Sequence, residues 1–283
     1  MALFGWPDCP AAVRDQVEGL VESVRLLLGQ ALAGLYLHGS LACGCFNPER
    51  SDLDVLVLTT RPVARGAKLG LVKAFLRRSQ APAPLEISVV ARQDLTPWQH
   101  PTPYQLHFSE AWRERLRAEA TSLAWLAWPD GAQGTDPDLA THVTMARARG
   151  IALLGPPPAQ ALPDVPPADY LAAILRDSEA ALTQPLANSV STVLNLCRIA
   201  WYLRAQVLSS KEEAGVWAQE TVRPAHQPLV RQALAAYRGA EAPAAWDADA
   251  IRRFGHQVLA AAASGHGGQG ASGERQLPLG QDR

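Results

Sequence analysis

The chain has 283 residues and a formal net charge of −1, with 26 Lys and Arg residues against 27 Asp and Glu residues. Its length allows one large domain or two ordinary ones. Because the charges are balanced and no basic stripe stands out, the composition argues against a nucleic-acid-binding protein and favours a small-molecule substrate.

The first half of the chain alternates helical and strand patterns. Apolar residues at helical spacing and short apolar runs bounded by turn residues distinguish the two. Helices are predicted over residues 10–30, 62–78 and 136–149, and strands over residues 34–37, 52–59, 85–90 and 151–154. This order predicts an α/β (α+β) domain with a small mixed sheet flanked by helices.

A proline cluster at residues 156–167 separates this half from a region with helical patterns alone. We predict a first domain over residues 1–157, an all-α helical bundle over 158–263 and a disordered tail over 264–283, since the tail is Gly-rich and has nothing to bury. The bundle helices are predicted over residues 168–183, 189–208, 211–221, 228–237 and 247–263.

Targeting and cysteine signals are weak. Residues 1–8 lack the basic and apolar regions of a signal peptide, and no apolar run reaches the length of a membrane span. Cys9, Cys43, Cys45 and Cys197 are too scattered for a disulfide framework, and the C-x-C pair has no matching Cys or His pair for a metal site. We expect free thiols in a monomeric cytoplasmic protein without a membrane partner.

A Gly39-Ser40 turn follows the first predicted strand. Glycine lets the backbone approach a phosphate closely, and a serine hydroxyl with neighbouring amides can hold phosphate oxygens. By itself the dipeptide is an ordinary turn.

Asp52 and Asp54 begin the clearest strand of the chain. Side chains two residues apart on a strand share a face, so the two carboxylates are expected side by side while Leu53 points to the core. Such a pair repels unless a cation lies between, and Mg²⁺ takes a few carboxylates together with substrate phosphates. The alternative is a solvated start of a strand, with Asp52 capping a turn.

Glu86 lies inside the next predicted strand, LEISVV at residues 85–90. Burying a charge there is unfavourable without a partner. Glu86 and Ser88 share one face, which is the face of the aspartates if the two strands are neighbours. The alternative is an edge strand with a solvated face.

Taken together, the turn, the D-x-D strand and the third carboxylate resemble the polymerase-β nucleotidyltransferase superfamily. Further blocks are similar to the streptomycin/spectinomycin (aminoglycoside) adenylyltransferase family over about residues 30–260. The blocks are LHGS (37–40), SDLDVLV (51–57), LEI (85–87), DLTPW (94–98), FSE (108–110), DLA (138–140), ALLGP (152–156), LCRI (196–199), and Lys211 with WA (217–218).

The resemblance implies a role for each carboxylate of the constellation. Asp52, Asp54 and Glu86 would be the metal ligands for Mg²⁺, and the superfamily usually uses two ions, which stabilise the attacking and leaving oxygens. Glu86 would also be the catalytic general base that takes the proton from the acceptor hydroxyl.

The resemblance also implies a nucleotide site for ATP. Ser40 and the backbone of Gly39 would hold the triphosphate, and Lys211 and Arg198 would reach the phosphates from the helical domain. For Lys211, considered without the family, a solvated helix start is the simpler interpretation.

An aminoglycoside is a polycation, so its pocket should offer carboxylates and aromatic faces. Family members that accept both drugs carry a Trp directly after the F-x-E block and an Asp near the start of a long helix of the second domain; here Ala111 intervenes, and the second position is neutral. The candidate substrate-binding residues are Glu110, Trp112, Asp177, Glu179, Asn188 and Ser189.

We therefore expect an enzyme that transfers AMP from Mg-ATP to a hydroxyl of an aminoglycoside-type antibiotic, with spectinomycin favoured and streptomycin possible, releasing pyrophosphate and conferring resistance. The alternative is a nucleotidyltransferase acting on another small molecule, RNA or protein. A non-catalytic nucleotide sensor would be expected to lack one of the three carboxylates.

Overall fold

The computed structural model describes residues 3–240 and 245–265. The chain forms two compact units, an N-terminal unit over Leu3–Tyr170 and a C-terminal unit that begins at Leu171. Of the predicted disordered tail, residues 266–283 lie outside the described residues, whereas Ser264 and Gly265 belong to the last helix.

Seven strands lie in the N-terminal unit. Five of them form one sheet in the order β5-β3-β2-β1-β7, and β4 and β6 form a two-stranded ladder. Their bounds are β1 Leu32–Leu37, β2 Leu53–Thr59, β3 Leu85–Ala91, β4 Thr102–Tyr104, β5 Leu106–Phe108, β6 Gly134–Asp136 and β7 Ile151–Leu154.

Twelve α-helices lie in the described residues, and most of the long ones correspond to predicted helices. They are α1 Ala11–Leu28, α2 Gly39–Ala42, α3 Arg65–Arg78, α4 Arg92–Leu95, α5 Arg113–Thr121, α6 Leu139–Arg149, α7 Pro158–Ala161, α8 Pro167–Thr183, α9 Ser189–Ala205, α10 Lys211–Thr221, α11 Gln227–Tyr237 and α12 Ala248–Gly265.

The five-stranded sheet is mixed, as predicted. β2 and β3 are parallel and are connected through α3, while the other neighbouring strands are antiparallel. On one face, Val55 and Val57 of β2 belong to a buried cluster with residues of α1 and α3. On the other face, Leu56 and Leu58 pack with Leu139 and other residues of α6. Both faces of β2 are therefore covered, which explains its nearly continuous apolar run.

Several predicted bounds need correction. The predicted helix over 10–30 ends at Leu28, because Gly29 has a φ of 51° that breaks the helical path. The helix predicted over 136–149 begins at Leu139, since residues 134–136 form β6 against β4. The helix predicted over 189–208 ends at Ala205, where Gln206 adopts the left-handed conformation. Such ends depend on local backbone geometry that apolar spacing does not encode.

The proline cluster lies within the N-terminal unit, because residues of the cluster itself pack against α6. Leu162 belongs to the buried cluster of that face, and Arg147 of α6 donates hydrogen bonds to the carbonyl groups of Ala159 and Leu162. The boundary predicted after residue 157 thus falls inside this unit, and the unit ends at Tyr170 within α8.

The C-terminal unit is helical, as predicted, and α9 packs against α10, α11 and α12. Within the described part of the chain, no helix combines the length and apolarity needed to cross a membrane. The four cysteines, all of which lie in described residues, form no disulfide.

Gln16 connects α1 to the segment that precedes β3. Its side chain is 3% exposed; Nε2 donates to the carbonyl groups of Arg78 (2.8 Å) and Ala83 (2.7 Å), and Oε1 accepts from the Ala83 amide at 3.0 Å. Because these bonds hold the entry to β3, Gln16 supports the strand that carries Glu86.

Replacing Gln16 with Leu is expected to destabilise the N-terminal unit, because the Arg78 carbonyl and the Ala83 amide lose their bonds to this side chain. The Ala83 carbonyl keeps the bond that it accepts from the Gln80 amide. The expected cost is about 1–3 kcal/mol for each buried group left unpaired. Urea unfolding followed by circular dichroism measures it, with the exposed Gln30→Leu as the matched control. An unfolding free energy equal to that of the control would contradict the assigned role.

Candidate active site

Asp54 and Glu86 lie directly beside each other on the two central strands. In the parallel β2–β3 ladder Asp54 is the register partner of Glu86, so both side chains are on one face of the sheet, and both are half-buried. Asp52 is exposed and lies just before β2. The structure thus places the second aspartate of the D-x-D motif, Asp54, next to Glu86.

The Gly39-Ser40 turn lies against the same carboxylates. Gly39 has a φ of 63°, and a Cβ at this position would lie 1.8 Å from Oδ2 of Asp54. Only glycine permits both this conformation and this close approach. The Ser40 hydroxyl is buried and has no hydrogen-bond partner among the described residues. A buried hydroxyl without a partner beside paired carboxylates suits a site whose ligand supplies the missing bond.

Helix α6 brings two further polar side chains to this point, and sequence reasoning missed them as site residues. His142 Nε2 lies 3.1 Å from Oδ2 of Asp138 and 3.7 Å from Oε1 of Glu86. The ring of His38, which directly precedes Gly39, lies 5.0 Å from that of His142. The i, i+4 spacing of Asp138 and His142 places them on one helix face and was the available signal.

The two histidines have opposite electrostatic environments. Burial lowers the pKa of His142, but the carboxylates of Asp138, Glu86 and Asp54 outweigh it and raise this pKa to about 10. Burial, together with the neighbouring His142, holds the pKa of His38 well below its usual range. The site therefore has a concentrated negative potential, which is the environment that attracts a cation.

Mg²⁺ is the ion that the sequence predicts at this site. Mg²⁺ prefers carboxylate oxygens, and the adjacent Asp54 and Glu86 side chains fit this preference. Among the described residues, a group of three possible ligands, Glu86, Asp138 and His142, also has ligand atoms within 4.8 Å of one another. Asp52 and Asp54 are not in that group, so their role as metal ligands remains a prediction.

An aromatic wall, defined as Tyr104, His107 and Trp112, continues from Glu86 along the sheet. His107 of β5 is the register partner of Ser88, and its Nδ1 lies 3.1 Å from the Ser88 hydroxyl. The His107 ring lies 5.4 Å from the Trp112 ring, and Tyr104 lies 6.4 Å from each of the two. Trp112, predicted from the sequence, thus belongs to a larger aromatic surface.

The Glu110 side chain is hydrogen-bonded within the N-terminal unit. Its carboxylate accepts hydrogen bonds from Ser79 and Arg113, and Ser79 in turn accepts from the amide of Leu85 at the start of β3. These contacts give Glu110 a position in the scaffold, and its predicted contact with substrate remains a prediction.

The remaining predicted residues lie in the C-terminal unit. Lys211 Nζ donates to the Ser191 hydroxyl at 3.1 Å, and Arg198 Nε donates to the Ser209 carbonyl at 3.0 Å. Both cations therefore lie where α9 packs against α10. Their binding of phosphate remains a prediction.

Four predicted substrate residues lie on α8 and at the start of α9, and Glu179, one of the two on α8, is exposed. Asp177 is exposed on α8. Asn188 is the N-cap of α9, where its side chain accepts from the Ser191 amide. Ser189 is 5% exposed and donates to the Pro185 carbonyl at 3.1 Å. Ser189 thus has a helix-start role that the sequence did not indicate.

The fold and the Asp54–Glu86 site together define a nucleotidyltransferase. The family model described as "Nucleotidyltransferase domain" matches residues 17–111, which span α1 to β5. The model described as "Aminoglycoside adenylyltransferase, C-terminal domain" matches residues 160–261. The chain belongs to the aminoglycoside adenylyltransferase family, and it is an enzyme of that class.

Individual relatives agree with this assignment. The chain is 28% identical to an "Aminoglycoside (3'') (9) adenylyltransferase" of Klebsiella pneumoniae, over 88% of this chain and 94% of the relative. It is 29% identical to a "Spectinomycin 9-adenylyltransferase" of Staphylococcus aureus, over 80% and 86% of the two chains. A crystal structure of a spectinomycin adenyltransferase from Enterococcus faecialis shares the fold, with a TM-score of 0.72, 20% identity, and coverage of 88% of this chain and 98% of the other.

Proposed function

We propose that this enzyme transfers AMP from Mg-ATP to a hydroxyl group of an aminoglycoside-type antibiotic, releases pyrophosphate and thereby confers resistance. The observation that carries the proposal is the pairing of Asp54 with Glu86 beside the Gly39-Ser40 turn. The names of the relatives support the acceptor class, and spectinomycin is the favoured drug. Because the donor is ATP, the cytoplasm is the expected compartment.

In this proposal each carboxylate has a defined task. Asp52, Asp54 and Glu86 would hold Mg²⁺, which supplies charge stabilisation for the phosphoryl oxygens when it is bound. Glu86 accepts the proton of the antibiotic hydroxyl, and that oxygen forms a bond to the α-phosphorus of ATP. The bond from the α-phosphorus to the oxygen that bridges to the β-phosphorus breaks, and pyrophosphate leaves with this oxygen.

The nucleotide site is proposed from polar groups that can bind phosphate oxygens. The buried Ser40 hydroxyl and the backbone at Gly39 are proposed to bind triphosphate oxygens. Lys211 and Arg198 are proposed as further phosphate-binding residues because cations with two or more donors suit phosphate.

The antibiotic site is proposed along the aromatic wall. A polycation is attracted by the carboxylates of Asp54, Glu86 and Asp138, and aromatic faces bind ammonium and guanidinium groups. The aromatic wall begins two residues along β3 from Glu86, where Ser88 is the register partner of His107. An acceptor bound there would therefore lie close to the general base.

The alternative is a nucleotidyltransferase of the same superfamily that acts on another small molecule, RNA or protein. The net charge of −1 argues against RNA, because RNA binding rests largely on Lys and Arg contacts with phosphates. Pyrophosphate release with ATP, Mg²⁺ and single acceptors separates these classes. Release with spectinomycin or streptomycin supports the proposal, and release only with RNA or protein contradicts it.

Spectinomycin is expected to be a better acceptor than streptomycin, because the two guanidinium groups of streptomycin favour bidentate carboxylates. The corresponding position falls at Asn188 or Ser189, and both residues are neutral. A hydrogen bond to a charged group contributes about 1.5–3 kcal/mol, so its absence is expected to weaken streptomycin by roughly ten- to a hundredfold. The measurement is kcat/KM for both drugs.

Asn188→Asp is the rescue variant, because Asp caps a helix as well as Asn does and position 188 is exposed. We expect it to narrow the difference between the drugs, while the neutral capping variant Asn188→Ser leaves it unchanged. Equal kcat/KM values for the two drugs in the unaltered enzyme would rule out this account of specificity.

A further inference from the structure

His142 is a buried side chain that the proposed reaction does not use. It is 9% exposed, and its Nε2 lies between two carboxylates, 3.1 Å from Oδ2 of Asp138 and 3.7 Å from Oε1 of Glu86. One N–H group therefore faces both the proposed general base and a second acceptor.

Helix α6 holds this imidazole in a fixed place. Leu139, Val143 and Ala146 of the helix pack in the buried cluster on the same face of the sheet as Leu56. At the start of the helix, the amide of Asp138 donates to Oδ1 of Asp136 at 2.9 Å. The ring of His38 adds a contact at 5.0 Å between ring centroids. His142 is thus held in place by the packing of its helix and by the contact with the His38 ring.

A purely structural role does not account for a histidine at this position. The neighbouring inward residues of α6 are apolar, and Leu or Val would fill the space. Nδ1 of His142 is buried without a hydrogen-bond partner among the described residues, which is unfavourable for folding. The histidine ring also provides Nε2, which faces Glu86, and Leu or Val would lack this polar group.

We propose that His142 is a positioning residue for Glu86, with Asp138 orienting the imidazole. The inference rests on the proposed function of Glu86 as the general base. The terminal torsion of a Glu side chain is broad, so a carboxylate without a neighbouring donor samples many orientations. Nε2 is hydrogen-bonded to Asp138 and lies 3.7 Å from Oε1 of Glu86, and this second, ion-pair contact restricts the rotation of the Glu86 carboxylate. Oε2 is then presented to the hydroxyl whose proton Glu86 accepts.

The test compares His142→Leu, which fills the space without an N–H group, with His142→Gln, which keeps an N–H donor. Turnover is measured by pyrophosphate release with ATP, Mg²⁺ and either spectinomycin or streptomycin. His142→Leu is expected to lower kcat by about ten- to a hundredfold, the effect of a misplaced catalytic group, while KM for ATP changes by less than about twofold. His142→Gln is expected to recover most of kcat.

A double-mutant cycle shows whether His142 acts through Glu86. In the Glu86→Gln background, His142→Leu is expected to cause no further loss of kcat, because the base is already absent. The same four proteins are compared by urea unfolding without substrate. In this unfolding experiment the shifts in the urea midpoint caused by the two substitutions are expected to be non-additive, because His142 and Glu86 are neighbours.

Three results would overturn the proposal: full kcat in His142→Leu, equal loss in His142→Leu and His142→Gln, or additive midpoints in the unfolding cycle. If neither drug is adenylylated, that result contradicts the proposed function. The unfolding cycle still tests the interaction between His142 and Glu86, because it needs no substrate. Wild-type turnover in Glu86→Gln would show that Glu86 is not the general base. The proposal that His142 positions this base would then fail as well.

Discussion

Asp54→Asn is expected to abolish turnover while the fold is retained. Asp54 is the register partner of Glu86 and lies against Gly39, so the variant changes the charge at the centre of the site without changing its shape. An amide oxygen is a much weaker ligand for Mg²⁺ than a carboxylate. The stabilisation that a metal ion gives to the phosphoryl oxygens is several kcal/mol, and each 1.36 kcal/mol is tenfold in rate. We expect kcat to fall by at least about three orders of magnitude.

The matched control is Asp15→Asn, the same substitution on the exposed side of α1. The control should keep wild-type turnover, and both variants should unfold within a few degrees of the wild type. Magnesium-dependent pyrophosphate release at a near wild-type rate in Asp54→Asn would show that Asp54 is not a metal ligand.

Glu86→Gln is expected to lose transfer by about two to four orders of magnitude, the usual contribution of general acid–base catalysis. Gln has the size of Glu but cannot accept the proton of the acceptor hydroxyl. If the main task of Glu86 is that of the base, ATP binding measured by calorimetry in the presence of Mg²⁺ should change little.

Glu18→Gln, on the exposed face of α1, is the control for this charge change. Calorimetry and the pyrophosphate assay together separate the two roles proposed for Glu86. Weak ATP binding with substantial residual turnover would identify Glu86 as a metal ligand first, and the assignment of the base would then have to move to another group.

The strands of the site could be predicted from the sequence because their signals are local. The apolar runs after Asp52 and around Glu86 predict strands, and period-two alternation puts Asp54 and Glu86 on defined faces. The structure confirms that β2 and β3 are neighbours in a register that makes these faces coincide. Gly39 was predictable as well, because the turn follows directly after a strand.

The contributions of α6 and β5 could not be predicted in the same way. Whether His142 faces Glu86 depends on which helix covers this face of the sheet, and helical periodicity carries no information about the partner. The strand that holds His107 has three residues, too few for an alternation pattern. Ser189 shows the opposite case, since a residue placed in the substrate site by resemblance has its hydroxyl bonded to the Pro185 carbonyl.

The ladder between β2 and β3 holds Asp54 and Glu86, the proposed reacting pair, within the five-stranded sheet. These strands are flanked by β1 and β5, so the amides around Asp54 and Glu86 lie between hydrogen-bonded neighbours. In such a position amide exchange requires opening of the whole sheet, whereas loops exchange through small local fluctuations. Movements of the loops are therefore expected to leave the distance between the Asp54 and Glu86 carboxylates unchanged. Substitutions that change acceptor preference can accumulate in the surrounding loops and helices while Asp54 and Glu86, the proposed reacting pair, stay in place.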